Sequence, residues 1–102
     1  MADIATLIEN LNERADALAS LGHTVRFELT DTQQAILLDA TGPSVTVAES
    51  DGEAEAVLKL STDTLDKLIA GKIGPMMAFS TGRLRVEGSQ GVALKLAGLL
   101  DS

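Results

Sequence analysis

The chain has 102 residues, enough for one domain with a core of its own. It has no Cys, Trp or Tyr, only two Phe, and a net charge of −7. These facts exclude a disulfide or thiolate-metal framework and leave almost no platform for stacking bases. The acidic balance opposes nucleic acid and anionic membrane surfaces as electrostatic partners. No stretch approaches the ~20 apolar residues of a membrane span. The start, Met1-Ala2-Asp3-Ile4, lacks a signal-peptide pattern, and Leu100-Asp101-Ser102 is not a peroxisomal address. A cytoplasmic protein is therefore expected.

Residues 3–21 read as one amphipathic helix. Ile4, Leu7, Ile8, Leu11, Ala15 and Leu18 recur at steps of three and four. Asp3 is placed to cap its start and Gly22 to end it. Val25, Phe27 and Leu29 then alternate with Arg26, Glu28 and Thr30, the pattern of a strand with one wet face. Asp31-Thr32-Gln33 turns the chain. Ala35-Ile36-Leu37-Leu38 is apolar on both faces and reads as a central strand covered on both sides. Thr41-Gly42-Pro43 turns it again, before a third strand marked by Val45 and Val47. Glu49, Asp51, Glu53 and Glu55 surround Asp51-Gly52 without the spaced ligands and terminal Glu of a calcium loop. They read as a solvated hairpin leading into a fourth strand, Ala56–Leu60.

Ser61 or Thr62 caps the next helix, whose apolar face is Leu65, Leu68 and Ile69 and which Gly71 closes. Pro75 opens a short helical segment carrying Met76, Met77 and Phe79, and Gly82 ends it. Arg83–Glu87 alternates charged and apolar, as a fifth strand does. Ser89 is placed to cap a last helix bearing Val92, Ala93, Leu94, Leu96, Leu99 and Leu100. The order is α-β-β-β-β-α-(short α)-β-α: a single α+β domain over residues 1–102, with helices on a five-stranded sheet.

The last third carries Gly71-Lys72-Ile73-x-Pro75-x-x-Ala78-Phe79-x-x-Gly82-Arg83-Leu84-Arg85-Val86-x-Gly88-x-x-Gly91-x-Ala93-Leu94-Lys95-Leu96. With the order of elements, this spacing resembles the sterol carrier protein 2 (SCP2) family. The resemblance is dense over the last third and looser over the rest. It implies an SCP2-like five-stranded sheet with a crossover between its third and fourth strands, covered by N-terminal, middle and C-terminal helices. It also implies an apolar tunnel between sheet and helices that takes fatty acids, acyl-CoA, phospholipids or sterols. The residues expected to line that tunnel are Phe27, Ile36, Leu38, Ile73, Met76, Met77, Phe79, Leu84, Val92, Leu96, Leu99 and Leu100. Within the short segment, Phe79 is expected to be the packed anchor and Met77 to face the lipid. Family members usually have Asn or Asp before the proline, and Gly74 here removes that cap. Without the peroxisomal tail of many eukaryotic members, the chain looks like a small stand-alone, prokaryotic-type member.

No spacing assembles a catalytic site. His23, the one imidazole, follows the stop at Gly22, where a charged His stabilises a helix end. Gly88-Ser89-Gln90-Gly91 reads as a tight turn, with backbone N–H groups also placed to meet a lipid head group or CoA phosphate. Lys72, Arg83, Arg85 and Lys95 read first as a wet strand face and second as a basic rim that steers anionic lipids. The expectation is a non-catalytic lipid-binding or lipid-transfer protein with no cofactor and no metal. Its expected partners are a lipid ligand, a transient membrane contact and a second copy docked through the apolar C-terminal helix. Two alternatives stay open. One is a protein-interaction module with a filled cavity. The other is an accessory that presents a lipid or prenyl-quinone substrate to an enzyme.

Overall fold

The computed structural model describes residues 3–100. The terminal residues read above for localisation, 1–2 and 101–102, lie outside the described residues. Five strands form one sheet: β1 Thr24–Leu29, β2 Gln34–Asp39, β3 Thr46–Glu49, β4 Ala56–Leu60 and β5 Leu84–Gly88. Their order is β3-β2-β1-β4-β5. β1, β2 and β3 make an antiparallel meander. The chain then crosses to the far side of β1, where β4 pairs with it in parallel and Phe27 meets Leu58 in register. β5 closes that edge antiparallel to β4.

Two strand expectations change. The acidic Glu49–Glu55 stretch is the crossover, not a hairpin, because β3 and β4 lie on opposite sides of the β2–β1 pair. Solvated acids suit either connection, so composition could not separate them. Arg26 holds the crossover in place, its Nη1 donating to the Gly52 carbonyl at 2.9 Å. β2 is one place in from the edge, and β1 is the central strand. The outward Leu37 of β2 is half-buried beside Gly52 of the crossover, which explains its apolar character without a second helical layer.

The sheet buries one face. Val25, Phe27, Leu29, Ile36, Leu38, Ala56, Leu58, Leu60 and Leu84 point to it and are all buried. The helices are α1 Ile4–Glu13, α2 Ala15–Leu18, α3 Thr62–Ile69, α4 Pro75–Ser80 and α5 Gln90–Leu100. A 3₁₀ turn, Ala19–Leu21, follows α2. α1 packs on β2 and β3, α5 packs on β4 and β5, and α4 flanks α5. The other face is charged. Arg26 pairs with Glu28 at 2.8 Å and Lys59 with Glu87 at 3.0 Å.

The first helix is not continuous. It breaks at Arg14, whose backbone leaves the helical region at φ −101 and ψ 15. The bend divides the work of the apolar stripe. α1 buries Leu7 and Leu11 and packs against β3 and α3, whereas α2 and the 3₁₀ turn bring Leu18 and Leu21 against α5.

Side chains satisfy the helix starts as their positions suggest. The Asp3 carboxylate accepts the Thr6 N–H at 2.8 Å. Ser61, rather than Thr62, caps α3 by accepting the Thr64 N–H at 3.1 Å. Thr62 instead donates its N–H and hydroxyl to the Asp31 carboxylate, at 3.0 and 2.9 Å. This ties the β1–β2 turn to α3. His23 does not serve a helix end. Its Nδ1 lies 2.9 Å from the Glu55 carboxylate, which also accepts the Thr24 N–H at 3.2 Å. The Thr62 N–H, seconded by the Thr62 hydroxyl, holds the Asp31 carboxyl below its ordinary value. The Thr24 N–H, seconded by His23, does the same for Glu55.

Gly88 sits where β5 turns into α5. Its φ is +76°, and a Cβ there would lie 2.6 Å from the Glu55 carbonyl oxygen. The Ser89 N–H donates to that same carbonyl at 2.8 Å. Gly82 has a similar φ of +77°, but a Cβ there would meet nothing within 4 Å.

This contrast makes the two glycines a matched pair. Gly82→Ala should cost only the backbone strain, about 1–2 kcal/mol. Gly88→Ala adds the collision with Glu55 and should cost clearly more. Urea unfolding curves of both variants check this, and equal costs would show that the Glu55 backbone yields. Acid should also destabilise the fold. Carboxylates held below their unfolded values contribute stability above those values and lose it as the pH falls through the folded ones. The melting temperature should therefore drop as the pH falls below the ordinary values of 4.5 for Glu55 and 3.8 for Asp31. Asp31→Ala should flatten the lower part of that drop. At neutral pH it leaves buried Thr62 donors unpaired, at about 1–3 kcal/mol. Melting curves across the acid range measure both effects.

Candidate functional site

An open apolar cavity of about 190 Å³ lies between β1, β4 and β5 on one side and α3, α4 and α5 on the other. Phe27 and Leu58, paired across β1 and β4, form part of its floor, and Leu84 and Val86 extend that wall along β5. These residues share a face because strand side chains alternate and paired positions point the same way. Leu68 of α3 closes one side.

α5 makes the longest wall, through Gln90, Ala93, Leu94, Leu96, Ala97 and Leu100. The space exists because of what that wall lacks. Ala93 and Ala97, one helical turn apart, present methyl groups where larger side chains would fill the volume. Gln90 is the one polar side chain among the described lining residues. The carboxylates held below their ordinary values, Asp3, Asp31, Asp39 and Glu55, all lie outside it. Among the described residues no three acids or imidazoles gather as a metal would require. The cavity's chemistry is burial of apolar surface, with one amide at the start of α5.

α4 forms the rim. Pro75 opens it without a side-chain cap from Gly74. Pro75 and Ala78, three apart, face inward and are buried. Met76 and Phe79, also three apart, border the cavity yet stay 66% and 56% exposed. Met77 falls outside the lining and is 59% exposed. The expected roles are thus corrected: Ala78 is the anchor, Phe79 is a rim residue, and Met77 faces outward. The segment is only six residues long, so its helical phase is set by which positions touch the core, and those are Pro75 and Ala78.

Of the residues expected to line a tunnel, the cavity gathers Phe27, Met76, Phe79, Leu84, Leu96 and Leu100. Ile36 and Leu38 are fully buried but sit on β2, under α1 and beyond β1. Ile73 lies in the loop before α4 and packs on the core. Val92 is buried and Leu99 half-buried, on sides of α5 turned away from the lining. The expected lining lacked Leu58, Leu68, Pro75, Val86, Gln90, Ala93, Leu94 and Ala97. Leu58 and Val86 could have been found by following the alternation of their strands. Ala93 and Ala97 carry almost no hydropathy signal, and only their spacing of four marks them.

The chain matches the model of the SCP-2 sterol transfer family over residues 4–101. It is similar to hydroxysteroid dehydrogenase-like protein 2 of Bos taurus, 34% identical over 64 residues. That match covers 63% of this chain and only 15% of the cattle protein's length. Among solved structures it superposes on the apo sterol carrier protein 2 of Yarrowia lipolytica with a TM-score of 0.71 at 24% identity. That superposition covers 92% of this chain and 83% of the other. Palmitated SCP2L2 from Aedes aegypti gives 0.74 at 15% identity, covering 100% and 96%. The ubiquinone synthesis protein UbiJ-SCP2 gives 0.71 at 23%, covering 95% and 91%. At these identities the structures speak for the fold alone. The five-stranded sheet, its crossover and its helical cover agree with them, and on the family match over almost its whole length the chain belongs to the SCP-2 sterol transfer family, a lipid-binding fold.

Proposed function

We propose that the cavity binds the apolar chain of a lipid and that the protein carries such lipids without transforming them. The carrying observation is the open, apolar space under α5, kept empty by Ala93 and Ala97 and bordered by exposed Met76 and Phe79. Each methylene buried there contributes about 0.8 kcal/mol, so a long chain is held without strong polar contacts. The volume of about 190 Å³ is below the ~300–1,000 Å³ of typical ligand pockets. That size favours a single acyl chain, with Met76, Phe79 and Leu94 moving apart as it enters. Met suits such a rim, because an unbranched thioether adapts to ligands of variable shape. The likeness to a palmitated relative supports a fatty acid as the first ligand to test. An interaction module with a filled cavity fits this open volume less well.

A fluorescent fatty acid should bind saturably, at one per chain, and be displaced better by long-chain than by short-chain lipids. Failure of sterols, fatty acids, acyl-CoA and phospholipids alike to displace it would sink the proposal. Ala97→Leu gives a sharper test. It fills the cavity, so stability should hold or rise while fatty-acid affinity drops at least about tenfold, since the lost methylene contacts are worth ~0.8 kcal/mol each. Phe79→Ala should behave differently again. A fully packed ring would cost about 3–5 kcal/mol. At a rim more than half exposed, the loss should stay under about 1 kcal/mol while lipid binding weakens. Paired melting and displacement curves on each variant decide between rim and core.

A further inference from the structure

A second apolar space adjoins the cavity between α4 and α5. It is a groove of about 220 Å³ lined by Pro75, Met76, Leu94, Ala97 and Gly98. All of these except Gly98 also line the cavity, so the two spaces share a wall. Leu94, Ala97 and Gly98 stand at steps of three and four, which puts them on one side of α5. None of the five carries a polar side chain. In the shared wall, Met76 and Leu94 are 66% and 64% exposed. They can swing aside without disturbing the core, and an unbranched Met does so readily. Gly98 is the second informative feature. It lies inside α5, where glycine is less favourable than alanine because it has more backbone freedom to lose. Packing does not demand it, since a Cβ there would meet nothing within 4 Å. Its effect is to leave the groove open. Neither space alone reaches the ~300–1,000 Å³ of typical ligand pockets, and together they do.

We propose that the groove is a second subsite for the lipid, in which the methyl end of a long chain passes between Met76 and Leu94 and lies against Ala97 and Gly98. This rests on the lipid-binding reading above. The direction of the chain follows from where the polar group sits. Gln90, the one polar side chain of the described cavity lining, begins α5, eight residues before Gly98 and so about 12 Å from it along the helix axis. Its amide meets the polar end of the ligand, and the tail is the part that reaches the groove. A tail laid there covers Met76 and Leu94, two of the four large apolar side chains that the described residues leave exposed. The device selects by chain length. A short chain is held in the cavity alone, whereas a long one gains about fourfold in affinity for each further methylene buried in the groove.

The test sets octanoate and palmitate in competition with a fluorescent fatty acid. Gly98→Leu fills the groove and alters no side chain of the cavity lining. The variant should fold, because its Cβ has open space and Leu is the better helix former. Octanoate affinity should stay within about twofold of the unaltered chain, while palmitate affinity falls at least about tenfold. Gly98→Ala should fall between the two, since one methyl group takes only part of the groove. A second measurement needs no substitution. Stearate carrying a nitroxide near its methyl end should broaden the Gly98 amide signal in an NMR spectrum, and stearate labelled near its carboxyl should broaden that of Gly91. An equal loss for octanoate and palmitate in Gly98→Leu would overturn the proposal, as would no loss for either or a carboxyl-end label that acts on Gly98. The two readings fail separately. If no fatty acid of any length binds, the cavity's role falls and the groove's with it. If both lengths bind and Gly98→Leu keeps the preference for palmitate, the groove alone is removed.

Discussion

The parallel pairing of β1 with β4 is the constraint on which the rest of the structure depends. An uninterrupted meander would have laid β4 against β3 and extended the sheet from its other edge. The crossover instead carries β4, β5 and everything after them to the far side of β1. The sheet then has two halves sharing one buried face. α1 covers the β2–β3 half and α5 the β4–β5 half, with the bend at Arg14 letting Leu18 and Leu21 bridge to α5. In the first half Ile36 and Leu38 are fully buried under α1. The second keeps a gap, because α5 meets it with Ala93 and Ala97. The connection that creates this division is short and polar, and Arg26 secures it by donating to backbone carbonyls rather than through a packed core.

Much of this was legible in the residues. Alternation in Val25-Arg26-Phe27-Glu28-Leu29 fixes which side chains go inside, because strand geometry has a period of two. Asp3, Ser61 and Ser89 mark helix starts, since a short oxygen-bearing side chain satisfies an otherwise unpaired N–H. What a strand does not encode in its own pattern is its neighbour. Ile36 and Leu38 read as well as Phe27 for a tunnel wall, yet β2 lies on the α1 side of β1. The acids of the crossover likewise suit any solvated loop, and it was the family resemblance that pointed to a crossover there.

The short helix shows a second limit. Pro75-Met76-Met77-Ala78-Phe79 offers apolar side chains nearly all round, so composition cannot set its rotation. Size ordinarily suggests that Phe is the anchor. Here the anchors are the small Pro75 and Ala78, and the large side chains are left at the rim. The alanines of α5 make the same point in reverse. A cavity is written as missing bulk, and hydropathy counts only what is present. Net charge misleads in a similar way. It describes the whole chain, whereas half of the basic residues fall within residues 71–100, where Glu87 is the one acid.

The weak start of α4 has a kinetic consequence. Gly74 offers no side-chain acceptor, Pro75 has no N–H, and the first helical bond runs from the Ala78 N–H to the Gly74 carbonyl at 3.0 Å. Only two small buried side chains hold the segment down. Such a segment belongs to the low end of the local-opening hierarchy, where a few residues exchange their amide protons without global unfolding. On the proposed lipid-binding reading, a bound chain would leave through the opening of these six residues, and a tighter fit in the closed cavity would slow that opening. A single position, Gly74, becomes a dial for that clock: an Asn or Asp there would lengthen each closed interval by capping the helix, with the walls of the cavity unchanged.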